Sequence, residues 1–173
     1  MSRLAELTWK VDAFFARVTD RHGSDMQCAT GCSDCCHVQL SITPVEAAAI
    51  RAHVLAWPSE RRRELADAPT GTDRCAALDS AGKCKIYHAR PMVCRSHGVP
   101  IRLTRGSLPV VESCHRNFVR TEPDRDCILD QATLSATLYA IDAAEAAQAG
   151  QTGATAPRER VDLAGLLADL AAI

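Results

Sequence analysis

The sequence predicts a mainly α-helical protein with an irregular, cysteine-rich, metal-organised centre and one small β-hairpin. Apolar residues recur at three- and four-residue steps in the terminal regions of the 173-residue chain, which is typical of amphipathic helices. Glycine, proline and turn pairs replace that pattern from about residue 69 to residue 123. Four of the nine cysteines lie in this irregular stretch, and four others lie within residues 28–36.

One domain over residues 1–173 is expected at this length. Its cysteine-cluster core should span residues 28–118, with flanking helices within 1–23 and 130–173. Thr43 and Glu46 have the spacing of a capping box, with proline at the first helical position between them. The periodic segments predict helices over 3–22, 44–56, 130–149 and 158–171, and a short charged helix after Ser59.

The β structure expected in the centre is limited. Residues 38–42 form a short β-prone stretch. The pair Arg105-Gly106 marks a turn, so residues 99–104 should return as a hairpin through 107–111.

Composition places the chain among ordinary globular proteins. Apolar residues make up 47% of it and charged residues 24%, and the formal net charge is −1, which disfavours disorder and a polyelectrolyte role. Glu6 and Lys10 interrupt the region where a secretory signal needs an apolar run, and no run approaches the ~20 residues that span a bilayer. We therefore expect a cytoplasmic protein without a membrane partner, in which thiols stay reduced.

The first cysteine group is dense, since four thiols fall within nine residues: Cys28, Cys32, Cys35 and Cys36. On a helix these four would occupy one arc of about 100°. In a loop, the short gaps also allow sulfurs to approach the ~3.8 Å separation of a tetrahedral zinc site. Zinc ions and iron clusters both accept such ligands, so we interpret the group as metal-binding rather than as apolar packing.

The second cysteine group is spread more widely and consists of Cys75, Cys84, Cys94 and Cys114. Few large apolar residues accompany it, and segments that lack core residues are commonly stabilised by a bound metal ion. The two groups together provide eight candidate ligands, enough for two four-thiolate zinc sites or for one iron–sulfur cluster plus further ligands. Cys127, at the entry to the alanine-rich helix, is expected to pack in the interior.

The charge distribution supports a thiolate site. Between Arg74 and Arg120 the chain has nine basic and two acidic residues, and neighbouring cations stabilise thiolates and offset their charge. A nucleic-acid-binding face would also be basic, but it would need stacking aromatic residues, and this segment contains only Tyr87 and Phe118. A zinc-stabilised nucleic-acid-binding module is therefore the weaker alternative.

Histidines and catalytic motifs add little. His37, His97 and His115 lie beside or three residues from a cysteine, so each could replace a thiolate or donate a hydrogen bond to one, although we expect them mainly near the site or on the surface. No Ser-His-Asp pattern, phosphate-binding glycine loop or paired-carboxylate motif is present. Cys–His nucleophilic catalysis stays open, but clustered thiols suit a metal better.

The chain resembles the YkgJ-type cysteine-cluster family, a zinc- or iron-chelating domain named for a CxxCxxCC motif. The resemblance covers about residues 28–118, although the first gap has three residues here instead of two. The resemblance implies that the cysteines bind zinc or iron, and the iron could be part of an iron–sulfur cluster. The matching residues are Cys32-Ser-Asp-Cys35-Cys36, then Cys75, the run Gly82-Lys-Cys84-Lys-Ile-Tyr-His-Ala-Arg-Pro-Met-Val-Cys94-Arg95, and Cys114.

Four residues around the later cysteines are expected to assist. Arg90 and Arg95 should support the site electrostatically. Tyr87 and Pro91 should shape the turn between Cys84 and Cys94.

An enzyme stays an alternative. The spacing of Cys28, Cys32 and Cys35 is similar to the cluster motif of radical S-adenosylmethionine enzymes, but this chain is too short and strand-poor for their barrel. Some proteins with the cysteine-cluster domain, such as flagellin lysine methylases, are thought to transfer methyl groups, so the resemblance also admits an iron–sulfur or metal-dependent methyl-transfer enzyme. The sequence displays no open coordination position or substrate pocket, and metal chelation is the function expected first.

Overall fold

A computed structural model describes residues 1–67, 73–150 and 158–173 of the chain. The helices are α1 (Arg3–His22), α2 (Pro44–Leu55), α3 (Ser59–Arg63), α4 (Met92–Ser96), α5 (Gln131–Gln148) and α6 (Leu163–Ala171). The strands are β1 (Ser41–Ile42), β2 (Ile101–Arg105), β3 (Leu108–Glu112), β4 (Leu129–Asp130) and β5 (Val161–Asp162). The prediction of a mainly α-helical protein with a small hairpin is confirmed.

The chain divides into two compact units. The first comprises Met1–Ala29 and Met92–Ile141, and the second comprises Thr30–Pro91 and Asp142–Ile173. The single domain expected over residues 1–173 stays a prediction.

The first unit is built on α1, which packs against α4. Ser2 begins the helix, because its Oγ accepts a hydrogen bond from the Ala5 N–H at 3.1 Å. The helix buries Val11 and Val18. Two apolar clusters result: one buries Val18, Met26, Val99 and Cys127, and the other buries Val11, Met92 and Leu134.

A three-stranded sheet completes the first unit, with strand order β3-β2-β4. Strands β2 and β3 form an antiparallel hairpin whose register runs from Ile101 opposite Glu112 to Arg105 opposite Leu108. Gly106 lies in the turn at a φ of 61°, a left-handed conformation that glycine adopts without strain. Strand β4 pairs with β2 in parallel. The predicted hairpin is thus present, displaced by one or two residues.

The second unit packs α2 and α6 together beside a short antiparallel pair of β1 and β5. The predicted capping box begins α2, since the Thr43 N–H donates to Glu46 Oε2 at 2.9 Å. The core of this unit draws on both helices and on the cysteine-containing loop: Ile42, Ile50, Val54, Leu65, Cys75, Leu78, Ile86, Leu163, Leu166, Leu167 and Leu170 are buried together.

This core corrects one expectation. The irregular stretch was expected to lack the apolar residues needed for packing, but Leu78 and Ile86 are each only 1% exposed. The physical reason is tertiary, because helices from elsewhere in the chain supply the apolar partners that the loop itself lacks.

Other element boundaries also differ from those predicted. The strand expected at 38–42 is limited to β1, and α6 begins at Leu163 rather than at 158 because the residues before it pair with β1. Helix α4 was not predicted, since five residues after Pro91 are too few to show a periodicity. Residues 151–157, which fall in the linker expected between the predicted helices 130–149 and 158–171, lie outside the described residues, as do 68–72.

Helix α5 begins where Asp130 Oδ1 accepts a hydrogen bond from the Thr133 N–H at 2.8 Å. The boundary between the two units falls within this helix, after Ile141. None of the helices in the described ranges is both long and apolar enough to traverse a lipid bilayer.

A buried carboxylate links distant parts of the second unit. Asp142 is 3% exposed. It accepts hydrogen bonds from the Val45 N–H at 2.8 Å and from Arg158 Nε at 2.7 Å. Three segments of the chain therefore depend on one side chain.

Asp142→Ala should lower the free energy of unfolding by about 2–4 kcal/mol, because it leaves a partly buried guanidinium and a backbone N–H without their acceptor. Urea denaturation followed by circular dichroism measures the effect. Glu159→Ala, at an exposed neighbouring position, is the matched control and should change stability by less than about 0.5 kcal/mol. Equal effects of the two substitutions would contradict this role of Asp142.

Candidate metal centre

The cysteines are distributed over both units, and all nine, each within the described residues, are thiols rather than halves of disulfide bonds. The first unit contains Cys28, Cys94 and Cys114 among the predicted ligands. The second unit contains the other five: Cys32, Cys35, Cys36, Cys75 and Cys84.

In the second unit, the segment Cys32–Cys36 is a loop that ends in a 3₁₀ turn over Asp34–Cys36. A helix through all four early cysteines does not form, because Gly31 adopts a φ of 91°. The loop is joined to the later group through the main chain, since the Cys75 N–H donates to the Cys36 carbonyl at 2.8 Å. The loop of the early cysteines therefore adjoins Cys75 within this unit.

A tight loop brings Cys75 and Cys84 back toward each other. Asp79 organises it, because its Oδ1 accepts hydrogen bonds from the N–H groups of Ala81 at 2.9 Å and Lys83 at 2.8 Å. The Asp79 N–H in turn donates to the Lys83 carbonyl at 2.9 Å. Local hydrogen bonds thus hold the loop.

The next residues close the same loop. Leu78 and Cys84 form an isolated antiparallel bridge, and the Lys85 N–H donates to the Ala77 carbonyl at 2.8 Å. Gly82 has a φ of 75°, so any larger residue there would strain the turn. The loop therefore places Cys84 opposite Leu78, three residues after Cys75.

The thiols of this unit lie in an environment that disfavours bare negative charge. Burial raises the pKa of Cys75 above its ordinary value, and burial raises the pKa of Cys84 to about 11. The charge of Cys35 raises the pKa of both thiols further. Arg90 and the Ile86 N–H oppose the shift at Cys84. A cation shared by these sulfurs would remove the mutual repulsion that keeps them protonated.

The residues expected to support the site lie close to cysteines. Arg90 interacts with Cys84, and its guanidinium lies over the Tyr87 ring at 4.1 Å. Arg95, beside Cys94 on α4, is 6% exposed and forms an ion pair with Asp12 at 2.6 Å. The Arg95 side chain therefore links α4 to α1 within the first unit.

In the first unit, Asn117 holds the Cys28 thiol. Its Nδ2 donates to Cys28 Sγ at 3.3 Å and to the Gly98 carbonyl at 2.7 Å. Its Oδ1 accepts from the Gln27 N–H at 2.8 Å. Asn117 is 3% exposed, so these contacts replace the water that a buried amide would otherwise need.

The same asparagine connects Cys28 with the Cys114 turn. The Asn117 N–H donates to the Cys114 carbonyl at 2.8 Å, so the side chain that binds Cys28 projects from the turn that Cys114 begins. Asn117 was not among the predicted site residues, because a single asparagine in an irregular segment has no distinctive spacing or charge. Its position three residues after Cys114 was the available signal.

The remaining candidates have no geometric support of this kind. Cys32 is half-buried in its loop, and Cys94 is half-buried on α4. His37, His97 and His115 are exposed. Cys127 is fully buried in an apolar cluster, as expected. The ligand role of each of the eight cysteines stays a prediction.

Comparison with known proteins gave one family. Residues 27–127, more than half of the chain, match the CxxCxxCC family, described as a "putative zinc- or iron-chelating domain". No curated protein and no solved structure gave a match. The matched range includes all eight candidate cysteines.

Gly98→Ala should displace the Cys28 thiol and destabilise the protein by about 2–3 kcal/mol. An added Cβ would lie 2.7 Å from Cys28 Sγ, and the φ of 103° is strained for any L-residue. Urea denaturation measures the stability, and the rate of thiol alkylation at Cys28 measures the displacement. Gly106→Ala is the control, because Gly106 also has a positive φ but nothing lies within 4 Å of its added Cβ; it should cost only about 1 kcal/mol. Unchanged Cys28 reactivity in G98A would contradict the packing.

The metal-free protein should lose stability at high pH. The pKa of Cys84 is raised from 9.0 to about 11 on folding, so this contribution is fully present below about pH 9 and is lost as pH rises toward 11. The free energy of unfolding, measured by urea denaturation with a chelator present at intervals from pH 8 to 11, should fall as the pH rises. Cys84→Ser should make this fall shallower by at most about 1.4 kcal/mol per pH unit. Ser80→Ala, in the same loop, should keep the wild-type slope. Identical slopes for C84S and wild type would contradict the raised pKa.

Proposed function

This chain belongs to the CxxCxxCC family, and we propose that it chelates zinc or iron through a multi-cysteine site. The proposed ligands are the eight cysteines that the family match includes: Cys28, Cys32, Cys35, Cys36, Cys75, Cys84, Cys94 and Cys114. The proposal assigns the protein to the cytoplasm, where thiols stay reduced.

The observation that carries the proposal is the hydrogen bond that the Cys75 N–H donates to the Cys36 carbonyl at 2.8 Å within the second unit. Cys36 and Cys75 come from different cysteine groups, and the bridge between Leu78 and Cys84 returns a further cysteine to the same loop. Thiols are ligands that zinc and iron both accept.

The surroundings favour a bound cation over bare thiolates. Cys75 and Cys84 lie in or against the apolar core of the second unit, where a thiolate without a cation is costly. A metal ion supplies the positive charge that stabilises deprotonated sulfur, and binding should therefore release protons. Arg90 offsets part of any excess negative charge that several thiolates would leave on one ion.

The thiol donors suit zinc and iron alike, so the proposal covers both metals. Zinc thiolate sites are colourless, whereas iron–sulfur clusters absorb visible light. The metal would tie the loop of the early cysteines to the Cys75–Cys84 loop, in addition to the hydrogen bonds that already join them.

Protein purified without oxygen should contain zinc or iron by elemental analysis, and its visible spectrum should identify which. Cys75→Ser and Cys84→Ser should each lower metal affinity by more than the roughly 10–100-fold typical of residues outside the ligand set. Competition with a chelator of known affinity measures this. Ser80→Ala, exposed in the turn of the same loop, is the matched control and should bind metal as the wild type does. Absence of metal from the wild type, both as purified and after reconstitution with zinc or ferrous iron, would refute chelation.

The same material distinguishes the alternatives that the sequence left open. Binding of S-adenosylmethionine by the metal-loaded protein would support a methyl-transfer enzyme over a simple chelator. Salt-sensitive retention of RNA or DNA would support a nucleic-acid-binding module, because phosphate contacts release counterions.

A further inference from the structure

The first unit contains another group of metal-ligating side chains, formed by His22, Asp124 and Cys127. One ligand atom from each lies within 4.8 Å of the others. His22 is the last residue of α1, and the other two residues lie at the 3₁₀ turn Arg125–Cys127. None of the three belongs to the eight cysteines discussed above, so this group is independent of the proposed function.

The imidazole of His22 has a nitrogen that the protein leaves unused. His22 Nε2 is buried and has no hydrogen-bond partner, although Asp124 Oδ2 is 3.4 Å away. A buried polar atom without a partner is costly and calls for an explanation. Ligand bonds of about 2.0–2.1 Å to a tetrahedral zinc ion put a nitrogen and an oxygen ligand about 3.3–3.4 Å apart. The observed separation matches two ligands of one ion.

A second carboxylate lies on the opposite side of the ring. His22 Nδ1 is 4.0 Å from Asp25 Oδ2, which is beyond hydrogen-bond distance. A histidine that binds metal through one nitrogen typically donates its other N–H to a carboxylate placed on this side. The Phe118 ring contacts the imidazole edge-on at 5.1 Å between centroids, and the Phe118 N–H donates to the Asp25 carbonyl at 3.0 Å. These contacts hold the ring between two carboxylates.

Burial favours a metal site over a catalytic cysteine. Cys127 is 0% exposed, so a substrate cannot reach it as it would a nucleophile. The Asp124 side chain is 60% exposed, so a hydrated cation can approach from that side and lose water to the deeper sulfur and nitrogen. Three protein ligands leave a fourth position for water.

Arg21, a positive charge close to this group, is paired with Asp126. Arg21 Nη1 lies 2.5 Å from Asp126 Oδ2 and 4.0 Å from Asp124 Oδ2. Arg21 also interacts with Cys127. Asp126 neutralises most of the repulsion that Arg21 would exert on a bound cation.

We propose that His22, Asp124 and Cys127 bind a zinc-like divalent cation, which ties the end of α1 to the segment that precedes β4. One sulfur, one imidazole nitrogen and one carboxylate oxygen suit a borderline cation such as zinc, whereas magnesium and calcium prefer oxygen ligands only.

The test is ¹¹³Cd NMR of the full-length protein loaded with cadmium as a zinc substitute, because the cadmium shift distinguishes a site with one thiolate from a site with several. The wild type should give a one-thiolate resonance that Asp124→Asn and His22→Gln abolish. Asp25→Asn should lower zinc affinity at this site about 10–100-fold. Asp20→Asn is the matched control, since it removes an exposed carboxylate nearby on α1 and should leave the resonance intact.

The proposed cysteine cluster is tested separately in the same spectra. Cys75→Ser should alter thiolate-rich resonances only, so either site can fail without the other. Absence of a one-thiolate resonance from the wild type would overturn the proposal. It would equally be overturned if the D124N and H22Q proteins, shown to be folded by circular dichroism, bound as much zinc as the wild type with the same affinity.

Discussion

The burial of Cys75 and Cys84 against the apolar core of the second unit is the constraint on which the candidate metal centre depends. Helices α2 and α6 supply that core, and Leu78 between the two cysteines and Ile86 just after Cys84 contribute to it. Burial fixes the positions of the thiols and also raises their pKa, so the same packing that orders the ligands makes them costly to ionise without a cation.

The first unit positions its thiols in another way. Cys28 is exposed, and it is held by a hydrogen bond from Asn117 and by the close approach of the Gly98 backbone. The donor stabilises negative charge on sulfur, whereas burial in the second unit opposes it. The group at His22 differs again, because it combines a buried sulfur with an exposed carboxylate. The protein thus contains three distinct environments for cysteine sulfur.

Much of the fold could be predicted from local patterns. Helix α1 has the predicted bounds, and α2 has the predicted capping box, because both depend on residues within a turn or two of each other. Helix α4 and the late start of α6 could not be predicted. The first is too short to show a period, and the second is decided by the pairing of β5 with β1, about 120 residues earlier in the chain.

The candidate site was also predictable only in part. Residue type and spacing were enough to nominate the thiols, since few other roles explain Cys32, Cys35 and Cys36 in one short polar loop. Only the tertiary structure decided that the Cys75 loop packs on α6, that Asn117 serves Cys28, and that His22 meets Cys127. Spacing constrains residues that are neighbours in the chain, whereas contacts across some 90 to 105 residues depend on which apolar faces are buried together.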